Sequence, residues 1–290
     1  MAICSFIGLG VMGYPMAGHL ATTGHQTRVF NRTMARAEQW QQAHAGPCFE
    51  TPRAAAEGAD LVMVCVGNDD DVRSVVFGEA GALNGMKPGS ILVDHTTTSA
   101  ELAREIAQVA REREVGFLDA PVSGGEIGAV NGQLTIMVGG AANDFARAEN
   151  VLQVYAKSVR LMGDVGAGQL TKMVNQICIA GLLQGLSEGL YFAERAGLDI
   201  EAVVEVISKG AAQSWQMENR YKTMKQNKFD FGFAVDWMRK DLAICLAEAK
   251  RNQSPLPMTQ IVDQFYADVQ DLGGNRWDTS SLIARLRSQQ

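Results

Sequence analysis

Long basic runs, paired cysteine motifs and an uninterrupted apolar span are all missing from this sequence, and each absence narrows what the chain can be. With no extended stretch of Lys or Arg and a formal net charge of -6, neither nucleic acid nor an anionic membrane is expected as the main partner. A small molecule is the better expectation. The five cysteines, Cys4, Cys48, Cys65, Cys178 and Cys245, are scattered, and none stand at CxxC spacing, so neither a disulfide framework nor a zinc site is indicated. Several lie in apolar runs, as Cys65 does in LVMVCV, and read as small buried hydrophobes. No charged leader precedes the first apolar run, which passes straight into a glycine motif; the mature chain is expected to begin near Met1 and to stay in the reducing cytoplasm. The longest apolar region, from Ile177 to Ala193, is broken by Gln184, Ser187 and Glu188 before it reaches the roughly 20 residues that a span requires. It predicts a buried helix.

At 290 residues the chain has room for one large domain or two of ordinary size. Through the first half, β-like runs (AICSFIGLG, QTRVFNR, ADLVMVCVG, SILVDHTT, VGFLDAPV, LTIMVGG) alternate with helical patterns such as SAELAREIAQVARER. That alternation predicts a doubly wound parallel α/β sheet with crossover helices, a Rossmann architecture. After Gly163 the β signals fade, and Gly166 to Gly197 reads as one long interdomain helix leading into an all-α C-terminal domain. The expected division is 1–163 and 164–290. Pro255 and Pro257 should separate the last two helices.

Gly8, Gly10 and Gly13 form GxGxxG between an apolar strand and a helical run, the context of a dinucleotide cradle. The first glycine allows the tight turn, the second the approach of a pyrophosphate, and the third close packing of helix on strand. Leu9, Val11 and Met12 complete the loop, and its N–H groups at the helix start bind the anion. Asn31, Arg32 and Thr33 then decide which dinucleotide fits. An NAD site usually ends its second strand in Asp or Glu; Asn31 removes that repulsion and Arg32 can pair with a 2′-phosphate, favouring NADPH over NADH. The alternative is that Arg32 is a solvated surface residue.

Ligands of open parallel sheets lie at the carboxyl ends of strands, which draws attention to the loops that follow Val66, Asp94 and Asp119. Asp69 to Asp71 read as a solvated helix start, and no metal is expected. Val66 and Thr96 are candidate cofactor contacts, although Thr96 to Thr98 serve equally well as caps for the helix that begins near Ser99. Ser123, Gly124 and Gly125 can converge backbone N–H groups and a hydroxyl on a substrate carboxylate; a ligand-free turn is the competing reading. Lys172, Asn175 and Gln176 share one helical face at i, i+3 and i+4. Hydride transfer to a carbonyl leaves an alkoxide, and an ammonium at Lys172 can supply its proton while Asn175 orients the substrate. A plain surface lysine is the alternative.

Taken in order, FIGLGVMGYPMAGHL, DAPVSGGEIGAVNGQLTIMVGG, GAGQLTKMVNQ and FAVDWMRKDL resemble the β-hydroxyacid dehydrogenase family over essentially the whole chain. That resemblance implies an active site between a Rossmann domain and a helical domain, and assembly as a homodimer or homotetramer. It also implies Lys172 as the acid/base, Ser123, Gly124 and Gly125 as carboxylate binders, Asn175 as a substrate contact and Lys240 as a cofactor-side residue. Gln176 stands where several members carry a second Asn, and Gln213, Ser214, Trp215 and Phe233 are candidates for setting substrate length. The implied activity is NADP(H)-dependent interconversion of a short 3-hydroxy acid and its semialdehyde, or of glyoxylate and glycolate. Rival readings are a 6-phosphogluconate-type dehydrogenase, whose nearby His is missing from KMVNQ; an imine reductase, whose relatives generally replace the lysine; and a non-catalytic NADPH-binding protein.

Overall fold

A computed structural model describes residues 1–289, which form two compact units, Met1–Lys172 and a second from Met173 onward. The first is built on a nine-stranded sheet: β1 (Ile3–Ile7), β2 (Gln26–Phe30), β3 (Cys48–Phe49), β4 (Leu61–Val64), β5 (Ile91–Asp94), β6 (Gly116–Asp119), β7 (Val122–Ser123), β8 (Leu134–Gly140) and β9 (Ala156–Gly163). The order is β3-β2-β1-β4-β5-β6-β8-β7, with β9 paired to β8.

Alternate residues of each central strand go to opposite faces, as the two-residue repeat of a strand requires. Phe6, Met63, Val93 and Leu118 enter one core with Met16 and Leu20 of helix Gly13–Thr22 and Trp40 of helix Met34–Ala43. Ile7, Val62, Val64 and Leu92 enter the other, with Leu102 and Ile106 of helix Ala100–Arg111. Burial on both faces is why these strands are nearly continuous apolar runs.

The sheet is parallel from β3 to β6, as the alternation predicts, but β8 runs antiparallel to β6. Here the chain doubles back through β7, which pairs antiparallel with β8, and the short helix Gly125–Val130. β9 was not anticipated: it is an edge strand whose residues are mostly exposed, so its sequence carries little apolar signal.

The second unit is helical. Helix Ala167–Arg195 carries the chain across the division, and helices Ile200–Ile207, Trp215–Lys225, Val235–Asn252, Pro257–Asp271 and Leu282–Ser288 follow. Pro257 stands in the first turn of its helix, where a missing N–H costs nothing. One core gathers Leu183, Met238, Leu242, Val262 and Tyr266; another gathers Leu190, Ile200, Met224 and Ile283. The segment expected to be a buried helix is buried on one side only, because Ala180, Leu183 and Leu190 face the core while Leu182 and Phe192 are exposed. Among the described residues no helix is long and apolar enough to cross a membrane. None of the five cysteines is in a disulfide; Cys178 is exposed and Cys48 and Cys65 are only half-buried, so the buried reading holds for Cys4 and Cys245 alone.

Candidate active site

The glycine loop leaves β1 with Gly8 at φ +96°, a conformation that only glycine adopts cheaply. A Cβ on Gly8 would strike the Cys65 carbonyl, and one on Gly13 would strike the carbonyl of Gly8. Gly10 is different: a Cβ there would meet no atom within 4 Å. The first and third glycines therefore close the turn against strand and helix, while the second keeps a bare backbone facing open space. This cradle, which a side chain would fill, fits a nicotinamide dinucleotide, and Gly8 to Gly13 are the residues that would hold its pyrophosphate.

Asn31 fastens the loop. Its Oδ1 accepts from the Leu9 N–H at 2.9 Å and its Nδ2 donates to the Thr33 carbonyl at 3.0 Å, while the Arg36 guanidinium donates to the Leu9 carbonyl. Asn31 thus spends its amide shaping the cradle. Arg32 is left with an exposed side chain paired at 3.0 Å to Asp71. The helix Asp69–Val76 is capped by Asn68, and Asp69 accepts from the Ser99 backbone and hydroxyl, so two of the three aspartates are engaged and do not simply face solvent.

The capping reading of Thr96 is removed by geometry. Ser99, not Thr96, caps helix Ala100–Arg111 by accepting from the Leu102 N–H. Thr96 Oγ1 instead accepts from the Val66 N–H at 3.1 Å, tying the loop after β4 to the loop after β5. Beside it, Asp94 is buried and accepts from the Thr96 N–H; burial pushes its carboxyl up to about 7. His95 is also buried, bridging the Ala120 carbonyl and the Tyr155 hydroxyl, and burial holds it down to about 4.

Two groups that sequence reasoning left without a role, Asp119 and Gln169, hold the start of the helix that carries Lys172. Helix Ala167–Arg195 starts without a capping side chain of its own, and Asp119 at the end of β6 takes that place: its carboxylate accepts from the N–H groups of Gly166 at 2.7 Å and Gln169 at 2.9 Å. Burial raises Asp119 to about 6 despite those bonds. The Gln169 amide then clamps the loop after β5, donating to the Thr96 carbonyl and accepting from the Thr98 N–H. Lys172, three residues on and buried, shares that helical face. The detectable signal was a long helix opening with no side-chain cap, which requires an acceptor from elsewhere.

Ser123 closes β7, and Gly124 and Gly125 follow at φ +129° and +62°. Gly125 is open, since a Cβ there would meet nothing within 4 Å. In the second unit, Asn175 and Lys240 are joined through two intermediaries. Asn175 Nδ2 donates to Gln176 Oε1 at 2.7 Å, Gln176 Nε2 donates to the buried Asp241 at 2.6 Å, and Lys240 pairs with Asp241 at 3.1 Å. Because the Asp241 carboxylate only accepts, Gln176 must point its NH2 there and its carbonyl at Asn175. Asn175 consequently commits its NH2 to Gln176. Of the length-setting candidates, Ser214 caps helix Trp215–Lys225, Trp215 lies under the Arg220 guanidinium, and the Phe233 N–H bonds to Asp278.

Residues 4–163 match the family described as the NAD binding domain of 6-phosphogluconate dehydrogenase, and residues 166–286 match the one described as NAD-binding of NADP-dependent 3-hydroxyisobutyrate dehydrogenase. An uncharacterized oxidoreductase of Shewanella frigidimarina (strain NCIMB 400) is 62% identical, the alignment covering 99% of this chain and 98% of that protein. The probable 3-hydroxyisobutyrate dehydrogenase-like 1, mitochondrial, of Arabidopsis thaliana is 40% identical over 97% of this chain and 84% of its own. The chain belongs to the β-hydroxyacid dehydrogenase family. Another structure of this architecture, Mycobacterium tuberculosis 3-hydroxyisobutyrate dehydrogenase with L-serine, superposes at a TM-score of 0.90 with 29% identity, covering 99% of each chain. As a β-hydroxyacid dehydrogenase the protein is an oxidoreductase that works with a nicotinamide dinucleotide.

Proposed function

We propose that this β-hydroxyacid dehydrogenase interconverts a short 3-hydroxy acid and its semialdehyde, with glyoxylate as an alternative small substrate, uses NADP(H) in preference to NAD(H), and exchanges the substrate proton at Lys172. The observation that carries the proposal is the buried Lys172 on the helical face that Asp119 and Gln169 fix at the carboxyl ends of β5 and β6. When bound, the nicotinamide supplies hydride for reduction or accepts it for oxidation. As the aldehyde carbon is reduced, its oxygen gains negative charge, and an ammonium at Lys172 Nζ polarises that oxygen and donates the proton; a neutral amine takes it back in oxidation.

Ser123, Gly124 and Gly125 bind the substrate carboxylate through hydroxyl and backbone N–H groups, and Asn175 contacts the rest of the substrate. L-serine, held by the mycobacterial relative, is itself a carboxylate carrying a 3-hydroxyl, which supports this substrate class. Preference for NADP(H) rests on the missing acid at Asn31 and on the exposed guanidinium of Arg32. Gly8 to Gly13, Thr33, Val66, Thr96 and Lys240 complete the proposed cofactor contacts, and a cytoplasmic homodimer or homotetramer is the proposed form.

The test follows nicotinamide absorbance with glyoxylate and with succinic, methylmalonic and tartronic semialdehydes, using NADPH and NADH in parallel. NADPH-dependent reduction of at least one semialdehyde is expected, together with a more alkaline optimum for alcohol oxidation, because oxidation needs the neutral amine. No turnover on any of these acids, despite tight NADPH binding, overturns the proposal.

A further inference from the structure

The segment that follows the proposed carboxylate loop is lightly anchored. Helix Gly125–Val130 is six residues long, begins on two successive glycines with positive φ, and buries only Gly128 and Ala129. Short helices have little stability of their own. At its far end the chain turns at Gly132, φ +64°, and the Gln133 N–H bonds back to the Gly128 carbonyl at 2.8 Å. The carbonyls of Ala129 and Val130 also meet a side chain from a distant element: His19 Nε2 lies 3.0 Å from the first and 3.1 Å from the second. Two carbonyl acceptors require Nε2 to carry hydrogen, which fixes the tautomer of the neutral ring and holds equally for the protonated one.

His19 belongs to helix Gly13–Thr22, whose first residue is the last glycine of the cofactor cradle. A single imidazole therefore links the element that begins at the cradle to the one that carries the Ser123–Gly125 loop. On the inner side Ala129 joins the core that holds Met16 and Leu20. On the outer side the elements leave a cavity of about 420 Å³, with Val11, Gly18 and His19 lining one wall and Glu126 and Val130 the other. The imidazole is a polar contact from the first wall to the backbone of the second.

We propose that His19 is a positioning residue that sets the place of the Ser123–Gly125 loop relative to the cradle and so governs how tightly the substrate carboxylate is held. This rests on reading that loop as the carboxylate site. The test compares His19→Ala, His19→Gln and Ser123→Ala with the parent enzyme at saturating NADPH, with methylmalonate semialdehyde as the probe. Loss of roughly one net hydrogen bond predicts that His19→Ala raises KM about three- to tenfold, while kcat and NADPH affinity stay within about twofold, the pattern of lost uniform binding. His19→Gln, whose amide N–H reaches about as far as Nε2, restores KM. A rise in KM for Ser123→Ala with none for His19→Ala overturns the inference and spares the carboxylate reading. No rise for Ser123→Ala overturns that reading and the inference with it. If His19→Ala weakens NADPH as much as the semialdehyde and Gln restores neither, His19 supports the fold at large and the inference is wrong.

Discussion

Substituting alanine at the second and third glycines of the cradle separates what the loop needs in order to fold from what it needs in order to bind. A methyl on Gly13 would fall on the Gly8 carbonyl and lie 2.9 Å from the Phe6 ring, so Gly13→Ala must move backbone or core. Overpacking of this kind costs about 1–3 kcal/mol, which for a protein of this size lowers Tm by roughly 2–4 °C per kcal/mol. A methyl on Gly10 meets nothing within 4 Å, and Gly10 is not among the glycines with positive φ, so Gly10→Ala fits the free protein. On the proposed cofactor contacts, its methyl enters the space that the pyrophosphate would take. Displacing one hydrogen bond to a charged oxygen costs about 1.5–3 kcal/mol, which weakens NADPH by about 10- to 150-fold. Thermal melts without ligand and NADPH fluorescence titrations read the two effects apart. Gly10→Ala should melt with the parent and bind poorly; Gly13→Ala should melt early. Parental NADPH affinity in Gly10→Ala, or an equal loss of stability in both variants, would refute the assignment of the open and closed glycines.

Arg32→Ala is expected to weaken NADPH about tenfold, the scale of one charge-assisted pair, and to leave NADH affinity and Tm unchanged, since its exposed pair with Asp71 adds little stability; titration with both cofactors checks it. Burial raises Asp94 from its ordinary 3.8 to about 7, so the folded chain holds that proton more tightly than the unfolded one. The resulting stability is full below about pH 4 and is lost as pH rises through about 7. Asp94→Asn keeps an acceptor for the Thr96 N–H without the charge, so its Tm relative to the parent should climb between about pH 5 and 8. His95, held neutral down to about 4, contributes with the opposite sign in both proteins and cancels in the difference. A constant difference across that range would contradict the buried-carboxylate reading.

Much of the first unit was legible because its requirements are local and steric. Strands buried on both faces must be largely apolar, and β1, β4, β5, β6 and β8 are visible as such runs, while β2 shows instead the alternation of a strand with one exposed face. The glycine spacing is likewise dictated by backbone collisions at Gly8 and Gly13. Direction is another matter: the apolar run of β8 is the same whichever way it points, and only the doubling back through β7 makes it antiparallel. β9 is exposed at its charged positions Lys157 and Arg160, and β3 has only two residues, so neither carries a periodic signal. Lys172 and Asn175 could be picked out by spacing along one helix. Asp119 capping that helix, Gln169 clamping Thr96 and Thr98, and Gln176 joining Asn175 to Asp241 could not, because each depends on side chains far apart in sequence that only the folded chain brings together.

The central claim is that Lys172 Nζ exchanges the substrate proton, and the most direct measurement is kcat/KM of Lys172→Ala for semialdehyde reduction beside its NADPH dissociation constant. Removal of a general acid is expected to lower kcat/KM by about 10²- to 10⁴-fold, with NADPH affinity retained within about twofold as proof that the cradle is intact. Turnover within about tenfold of the parent, less than such a group contributes, would contradict the account and take the proton transfer away from Lys172.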